Sequence, residues 1–154
     1  MKLYLASSWK NAEAVLTLEH LLKIQRFEVY CFANPDAGHF SFNIAEILTS
    51  KGYNLTDVDA ISALTHPAVA EEFKAAFKCD KEGIDWADAV ILCMPAGKSS
   101  HLEAGYAKGS GKLLFIYWLG DPIKGEFDNM YQFADGLFRM EELTDLIDNL
   151  RMRG

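Results

Sequence analysis

Apolar residues along the chain fall into short continuous runs, separated by stretches in which they recur at helical spacing. The run at 89–94 contains no charged side chain, which is typical of a strand covered on both faces of a sheet. Four other runs predict strands at 2–7, 28–32, 112–118 and 136–138. Because strands and helices alternate, the pattern predicts an α/β fold: a flavodoxin-like, doubly wound, five-stranded parallel sheet with helices on both faces.

Helical spacing and turn residues place the helices between these strands. The predicted helices cover 14–25, 40–50, about 66–86, 101–108 and 140–151, with a short helical turn at 129–134. Asn11 is the expected N-cap of the first of them, and Pro67 lies near the start of the third. We expect the third helix to break around Cys79 and Asp80. The stretch 54–64 has no clear periodicity.

The turn after the central strand carries the first candidate for chemistry. Pro-Ala-Gly at 95–97 ends the strand, and Ser99 or Ser100 then opens a helix with Glu103 in its first turn. Ligands of open α/β sheets bind outside the carboxyl ends of the strands, so a carboxylate there is well placed to react. The alternative is a Ser-x-x-Glu capping box from Ser100 to Glu103, in which the glutamate only stabilises the helix.

Composition narrows the class of protein. The chain has 154 residues, half of them apolar and about a quarter charged, as expected for one soluble domain over 1–154. A net charge of −7 argues against a nucleic-acid polymer as partner. The longest apolar run is too short for a membrane span.

The three cysteines fit no metal-binding spacing, and we expect neither a metal nor a cofactor. Cys31 and Cys93 lie in apolar runs, which favours buried thiols over a disulfide. An odd number of cysteines without a signal-peptide pattern predicts a reducing, cytoplasmic location.

Several segments together resemble one enzyme family. The stretch 95–109, with Leu-Glu-Ala-Gly-Tyr-Ala at 102–107, resembles the active-site segment of the nucleoside 2-deoxyribosyltransferase-like family. The resemblance extends to 3–11, to Asp80 with 86–89, and to 129–131 with 134–135. It implies cleavage of a nucleoside N-glycosidic bond through a covalent glycosyl-enzyme on Glu103. A carboxylate suits this role because an anionic nucleophile stabilises and traps an oxocarbenium-like transition state.

The resemblance gives two more residues a catalytic role. Asp80 would protonate the departing base, although an ordinary solvated acid beside Lys78 and Lys81 is the alternative. Tyr4, in the first strand, would stack on a base or hydrogen-bond the nucleophile; its alternative is a core strand residue. Asp88 directly precedes the central strand and is expected to be structural.

The residues expected to bind substrate lie in turns. The resemblance implies contacts to the nucleoside from Ser7 and Trp9, and a turn under the sugar from Gly97, Ser99 and Ser100. This turn could hold a 5′-phosphate, with Lys10 or Lys98 adding charge, whereas capping serines and solvated lysines are the alternative. His101 is expected on the helix surface. Asn129 matches a family segment near a neighbouring subunit's site.

The function implied is transfer of the sugar from one base to another, as in a nucleoside 2-deoxyribosyltransferase. Hydrolysis of a 2′-deoxynucleoside 5′-monophosphate and a non-catalytic nucleotide-binding module remain alternatives. A flavodoxin-like electron carrier would need a phosphate loop, which 7–11 only faintly resembles. The expected partner is a small nucleoside or nucleotide. We also expect a homodimer or higher homo-oligomer, from the resemblance and from exposed-looking aromatics at 117–118 and 130–131.

Overall fold

The structure is a computed structural model that describes residues 1–35, 44–67 and 69–154. Its sheet has the order β2-β1-β3-β4-β5, and every neighbouring pair is parallel. The strands are β1 (Lys2–Ala6), β2 (Glu28–Cys31), β3 (Ala89–Met94), β4 (Leu113–Trp118) and β5 (Gly136–Phe138). The flavodoxin-like α/β fold predicted from the sequence is therefore confirmed.

Helices connect the strands and cover the sheet. They are α1 (Ala12–Ile24), α2 (Ile44–Ser50), α3 (Ala60–Thr65), α4 (Ala70–Trp86), α5 (Lys98–Gly109) and α6 (Leu143–Arg153). Short 3-10 helices lie at Trp9–Asn11, Leu55–Asp57, Asn129–Phe133 and Met140–Glu142. The helix predicted at 40–50 is described from Ile44 onward, and 36–43 lie outside the described residues. The helix α3 lies almost entirely within 54–64, the stretch in which no periodicity was found.

Alternation along β1 separates the two faces of the sheet. Leu3 and Leu5 point into a core formed with α1 and α6. Tyr4 and Ala6 point the other way, into a second core that includes residues of α4 and α5. Successive side chains of a strand face opposite sides, so a polar group at Tyr4 is delivered to the α4 and α5 side.

The helix α4 is continuous from Ala70 to Trp86, so the predicted break around Cys79 and Asp80 is wrong. No proline or glycine stands at that point, and the apolar side of the helix continues to the buried Ile84. Asp80 therefore lies in the middle of a regular helix.

The helix α5 begins earlier than predicted, and this removes the capping box. Its N-cap is Gly97, in an extended conformation with φ −85° and ψ −178°. Ser100 is consequently inside the helix and only 3% exposed, so it cannot be the N-cap. Glu103 lies in the second turn, not the first. Both the capping-box alternative and the first-turn placement of Glu103 are therefore wrong.

The cysteines agree with the sequence-based expectation. Cys31 and Cys93 are buried free thiols, and Cys79 is partly buried. Burial raises the pKa of the Cys31 thiol to about 11. None of the described helices is both long enough and apolar enough to cross a membrane.

Candidate active site

Three polar side chains from three elements meet on one face of the sheet. Tyr4 of β1 is only 1% exposed, and its hydroxyl lies close enough to Glu103 on α5 and to Asp80 on α4 to lower the pKa of both carboxyl groups. Both carboxylates are partly buried. The structure thus brings together the three residues expected to be catalytic, although they are up to 99 positions apart in the sequence.

Burial controls the ionisation of this group. It raises the pKa of Glu103 to about 7; the nearby charge of Asp80 raises it further, and the hydrogen bond from Tyr4 opposes both effects. Burial also raises the pKa of Asp80, again against the hydrogen bond from Tyr4. Burial and the two carboxylate charges raise the pKa of Tyr4, which stays protonated. Both carboxyl groups therefore hold their protons to higher pH than ordinary carboxyl groups do, and because they lie close together their titrations are coupled.

The structure does not support the alternative for Asp80, an ordinary solvated acid beside Lys78 and Lys81. The two lysines beside it in sequence pair with other acids of the same helix: Lys81 with Asp85 at 2.5 Å and Lys78 with Glu82 at 3.7 Å. Asp80 instead turns toward Tyr4. It is therefore not an ordinary solvated helix acid.

The loops after β1 and β3 are tied together at the carboxyl edge of the sheet. The hydroxyl of Ser7 donates to the carbonyl oxygen of Cys93 at 2.9 Å. The Asn11 amide donates to Ser7 Oγ at 3.0 Å and to the Pro95 carbonyl at 2.6 Å. Asn11 occupies the N-cap position of α1, as predicted, but its side chain makes no capping bond. Ser7 and Asn11 thus join two loops.

An open groove of about 590 Å³ lies at the same edge, lined by residues that include Trp9, Pro95 and Gly120. The indole of Trp9 is 47% exposed and meets Phe32 edge-on, with ring centroids 4.9 Å apart. Trp9 is therefore an accessible aromatic surface. Among the described contacts, none joins it to the Tyr4 group.

The start of α5 combines exposed and buried positions. Gly97 and Ser99 are exposed, whereas Ser100 is buried. The ring of His101 donates from Nδ1 to the Gly97 carbonyl at 2.8 Å, and its Nε2 lies 3.4 Å from the hydroxyl of Tyr131. His101 thus braces the beginning of the helix.

The other residues singled out in the sequence lie further out. Asn129 is exposed at the start of a 3-10 helix, and no described contact joins it to Glu103. Asp88 accepts from the backbone N–H of Lys2 at 2.7 Å, at the amino end of the strands, as expected of a structural residue. Within the described residues, no group of three His, Cys, Asp or Glu side chains is arranged to hold a metal ion.

The aromatic residues behind the oligomer prediction are mostly not exposed. Tyr117 is buried and donates to the Met140 carbonyl at 2.9 Å, so its expected exposure is wrong. Trp118 and Tyr131 are partly buried and contact each other edge-on at 6.2 Å. Met130 is the exposed member of the set, with 56% of its surface accessible.

Two neighbours of the site, Tyr30 and Gly83, were not predicted from the sequence. Tyr30 stacks on Tyr4 with ring centroids 4.9 Å apart and an interplanar angle of 21°. Gly83 lies in α4 directly against the Tyr30 ring. An isolated glycine inside a helical pattern usually has a packing reason, and that signal could have drawn attention to it.

No protein-family model matches the sequence, and no curated protein matches it either. Solved structures do. The CMP N-glycosidase BcmB of Clostridium botulinum aligns over 98% of this chain and 99% of its own, at 12% identity and a TM-score of 0.55. A 2-deoxyribosyltransferase of Bacillus psychrosaccharolyticus aligns over 96% of this chain and 90% of its own, at 20% identity and a TM-score of 0.56. The chain has the fold of the nucleoside 2-deoxyribosyltransferases.

The same fold also occurs outside this group. The SEFIR domain of IL-17 receptor B aligns over 97% of this chain and 93% of its own, at 15% identity and a TM-score of 0.53. Fold alone therefore does not decide the activity, which has to be argued from the side chains of the site.

Proposed function

We propose that this deoxyribosyltransferase-like protein cleaves the N-glycosidic bond of a nucleoside or nucleotide, with Glu103 as the nucleophile. One observation carries the proposal: two partly buried carboxylates on different helices converge on a buried tyrosine hydroxyl. Glycosidic cleavage uses such a pair, one carboxylate to attack the sugar and one carboxylic acid to protonate the leaving group. The fold shared with an N-glycosidase and a deoxyribosyltransferase adds support.

The proposed proton arrangement follows from the number of protons at the site. Tyr4 has one proton to donate, and the raised pKa values of the two carboxyl groups allow one of them to hold a second proton. We propose that substrate binding leaves the proton on Asp80: protonated Asp80 then donates to the Tyr4 oxygen while Tyr4 donates to Glu103, so that each group is satisfied and Glu103 carries the negative charge. In this arrangement the acid and the nucleophile have opposite protonation states, as the reaction requires.

The reaction then has two steps. A Glu103 carboxylate oxygen forms a bond to the anomeric carbon as the carbon–nitrogen bond breaks. The bonding electron pair leaves on the base, which takes a proton from Asp80. In the second step an acceptor attacks the same carbon, the bond to Glu103 breaks, and Asp80 recovers the acceptor's proton.

The acceptor distinguishes the two enzymatic versions of the proposal. A second base gives transfer, which is our first choice, and water gives hydrolysis. The alternative is hydrolysis of the N-glycosidic bond of a 2′-deoxynucleoside 5′-monophosphate. The exposed start of α5 at Gly97 and Ser99 supports it, because a helix N-terminus can bind a phosphate. We favour the nucleoside because 7–11 and 97–103 contain no arginine that could clamp a phosphate through two hydrogen bonds.

A substrate panel tests the proposal. The protein is incubated with deoxyadenosine, deoxycytidine and their 5′-monophosphates, with and without a free acceptor base, and products are separated by chromatography. We expect free base from at least one substrate and a new nucleoside when acceptor is present. A preference for monophosphates above about tenfold, which is about 1.4 kcal/mol, would favour the hydrolase.

Matched variants assign the activity to the site. In Glu103→Gln the rate of glycosidic cleavage should fall by several orders of magnitude, as expected when a covalent nucleophile is removed. Glu82→Gln changes an exposed glutamate on α4 and should leave turnover unchanged. Tight nucleotide binding without turnover of any substrate would favour the non-catalytic binding module.

A further inference from the structure

We propose that Tyr30 is a positioning residue: its ring, held between Tyr4 and Gly83, sets where Tyr4 and Asp80 stand relative to Glu103. The contacts themselves are independent of any activity. The catalytic consequence rests on the proposed function, and the test below separates the two.

One side of the Tyr30 ring lies on Tyr4. The register of the sheet pairs the two residues directly across β1 and β2, on the face that carries α4 and α5. Their rings are stacked at 4.9 Å with only 21° between the planes. Tyr4 is thus held by the neighbouring strand as well as by its own, and its hydroxyl has little freedom to leave the carboxylates.

The Tyr30 ring also lies against the backbone of α4. A Cβ atom placed on Gly83 would be 2.6 Å from Cε2 of Tyr30, with two further ring atoms within 2.9 Å. Any side chain at this position would therefore overlap the ring, which is too close to move aside without leaving Tyr4. The absence of a side chain at Gly83 is what lets the helix approach the ring.

A hydrogen bond also joins the ring to the helix, in addition to the packing against Gly83. The Tyr30 hydroxyl donates to the carbonyl oxygen of Cys79 at 3.3 Å. Cys79 and Gly83 are one helical turn apart, and Asp80 lies between them. Tyr30 therefore contacts α4 at Cys79, directly before Asp80, and at Gly83, three residues after it. The width of the Tyr30 ring thus sets the distance between this turn of α4 and β1.

The ring acts through packing and not through charge. Burial raises the pKa of Tyr30, and the charges of Asp80, Cys79, Glu103 and Cys31 raise it further, so the phenol stays neutral. A neutral ring of fixed thickness also keeps water from one side of the carboxylate pair, which contributes to the burial that raises their pKa values.

Three variants separate the ring, its hydroxyl and the glycine. Tyr30→Phe keeps the ring and removes the hydroxyl that bonds Cys79. Tyr30→Leu removes the stack, and Gly83→Ala inserts a methyl group into the ring's place. Gly109→Ala is the matched control, because a Cβ at that helical glycine meets open space. The double variant Tyr30→Leu/Gly83→Ala completes a mutant cycle.

Two readouts are used, of which only one needs turnover. For Tyr30→Leu and Gly83→Ala we expect kcat to fall about 10- to 100-fold with little change in KM. This pattern is expected when a residue that does not itself react displaces a catalytic group from its position. In ¹³C NMR titrations of the Glu103 carboxyl, its pKa should fall toward the ordinary range, since water reaches the pair. Tyr30→Phe and Gly109→Ala should resemble the wild type in both readouts.

The cycle and the titration decide the outcome. The double variant should be no worse than Tyr30→Leu alone, because without the ring the added methyl group meets nothing. Fully additive losses, or a Glu103 titration unchanged in folded Tyr30→Leu protein, would overturn the positioning role. If Gly83→Ala does not fold, Tyr30→Leu still decides through the titration. A wild type without glycosidic activity would refute the proposed function but leave the titration test intact.

Discussion

Replacing Glu103 by glutamine should stabilise the protein, and the gain should grow with pH. A carboxyl whose pKa is higher in the folded protein than in the unfolded chain keeps its proton longer when folded. The folded state therefore loses stability as the pH rises from the ordinary glutamate value to the raised value of about 7. Glutamine never ionises, so the variant avoids this loss.

The size of the effect follows from the shift. One pKa unit corresponds to about 1.4 kcal/mol, so the full shift corresponds to about 3 kcal/mol above pH 8. This is an upper bound because the Glu103 side chain keeps some access to water. At pH 5 most of the penalty is absent, and the difference should be about 1 kcal/mol or less. Residues that act in catalysis commonly carry such a cost in stability.

Urea unfolding followed by tryptophan fluorescence measures the difference at pH 5 and pH 8. Glu103→Gln should have the higher midpoint at pH 8 and a smaller advantage at pH 5. The exposed control Glu82→Gln should stay within about 0.5 kcal/mol of the wild type at both. A Glu103→Gln variant less stable than the wild type at pH 8, or a gain that does not change with pH, would refute the reasoning about burial.

Three further outcomes are expected. Asp80→Asn should slow cleavage most for bases that leave poorly and least for activated ones, measured over a series of leaving groups; a uniform loss would reassign Asp80 to substrate positioning. Tyr4→Phe removes the hydrogen bond that lowers the pKa of Glu103, so the acidic limb of the kcat/KM profile should move to higher pH; an unmoved limb would contradict this. Light scattering should show a homodimer or larger oligomer; a fully active monomer at micromolar concentration would rule that out.

The strands were predictable because a strand buried on both faces of a sheet is a continuous run of apolar residues. The run at β3 has the predicted bounds, Ala89–Met94, and all five strands were found. Parallel order then followed from the alternation with helices. Convergence of Tyr4, Asp80 and Glu103 was expected only from the family resemblance, since residues so far apart share no local pattern.

Helix starts were less predictable. A residue's preference for the N-cap position does not decide where the chain leaving a strand turns into the helix. Serine is a common N-cap, but here Gly97 takes that position and Ser100 is buried inside α5. The contact of Tyr30 with Gly83 was beyond the sequence for a different reason. It depends on the register of β2 and on how closely α4 approaches the sheet, and both are set by packing between distant segments.

The most direct test of the account is to trap the glycosyl-enzyme. A 2′-fluoro-2′-deoxynucleoside slows both steps, because fluorine withdraws electrons from the oxocarbenium-like transition states, so the intermediate should accumulate. Intact mass spectrometry followed by peptide mapping should find the sugar on Glu103, and find none in Glu103→Gln. A sugar attached to another residue, or turnover with inversion at the anomeric carbon and no adduct, would contradict the central claim.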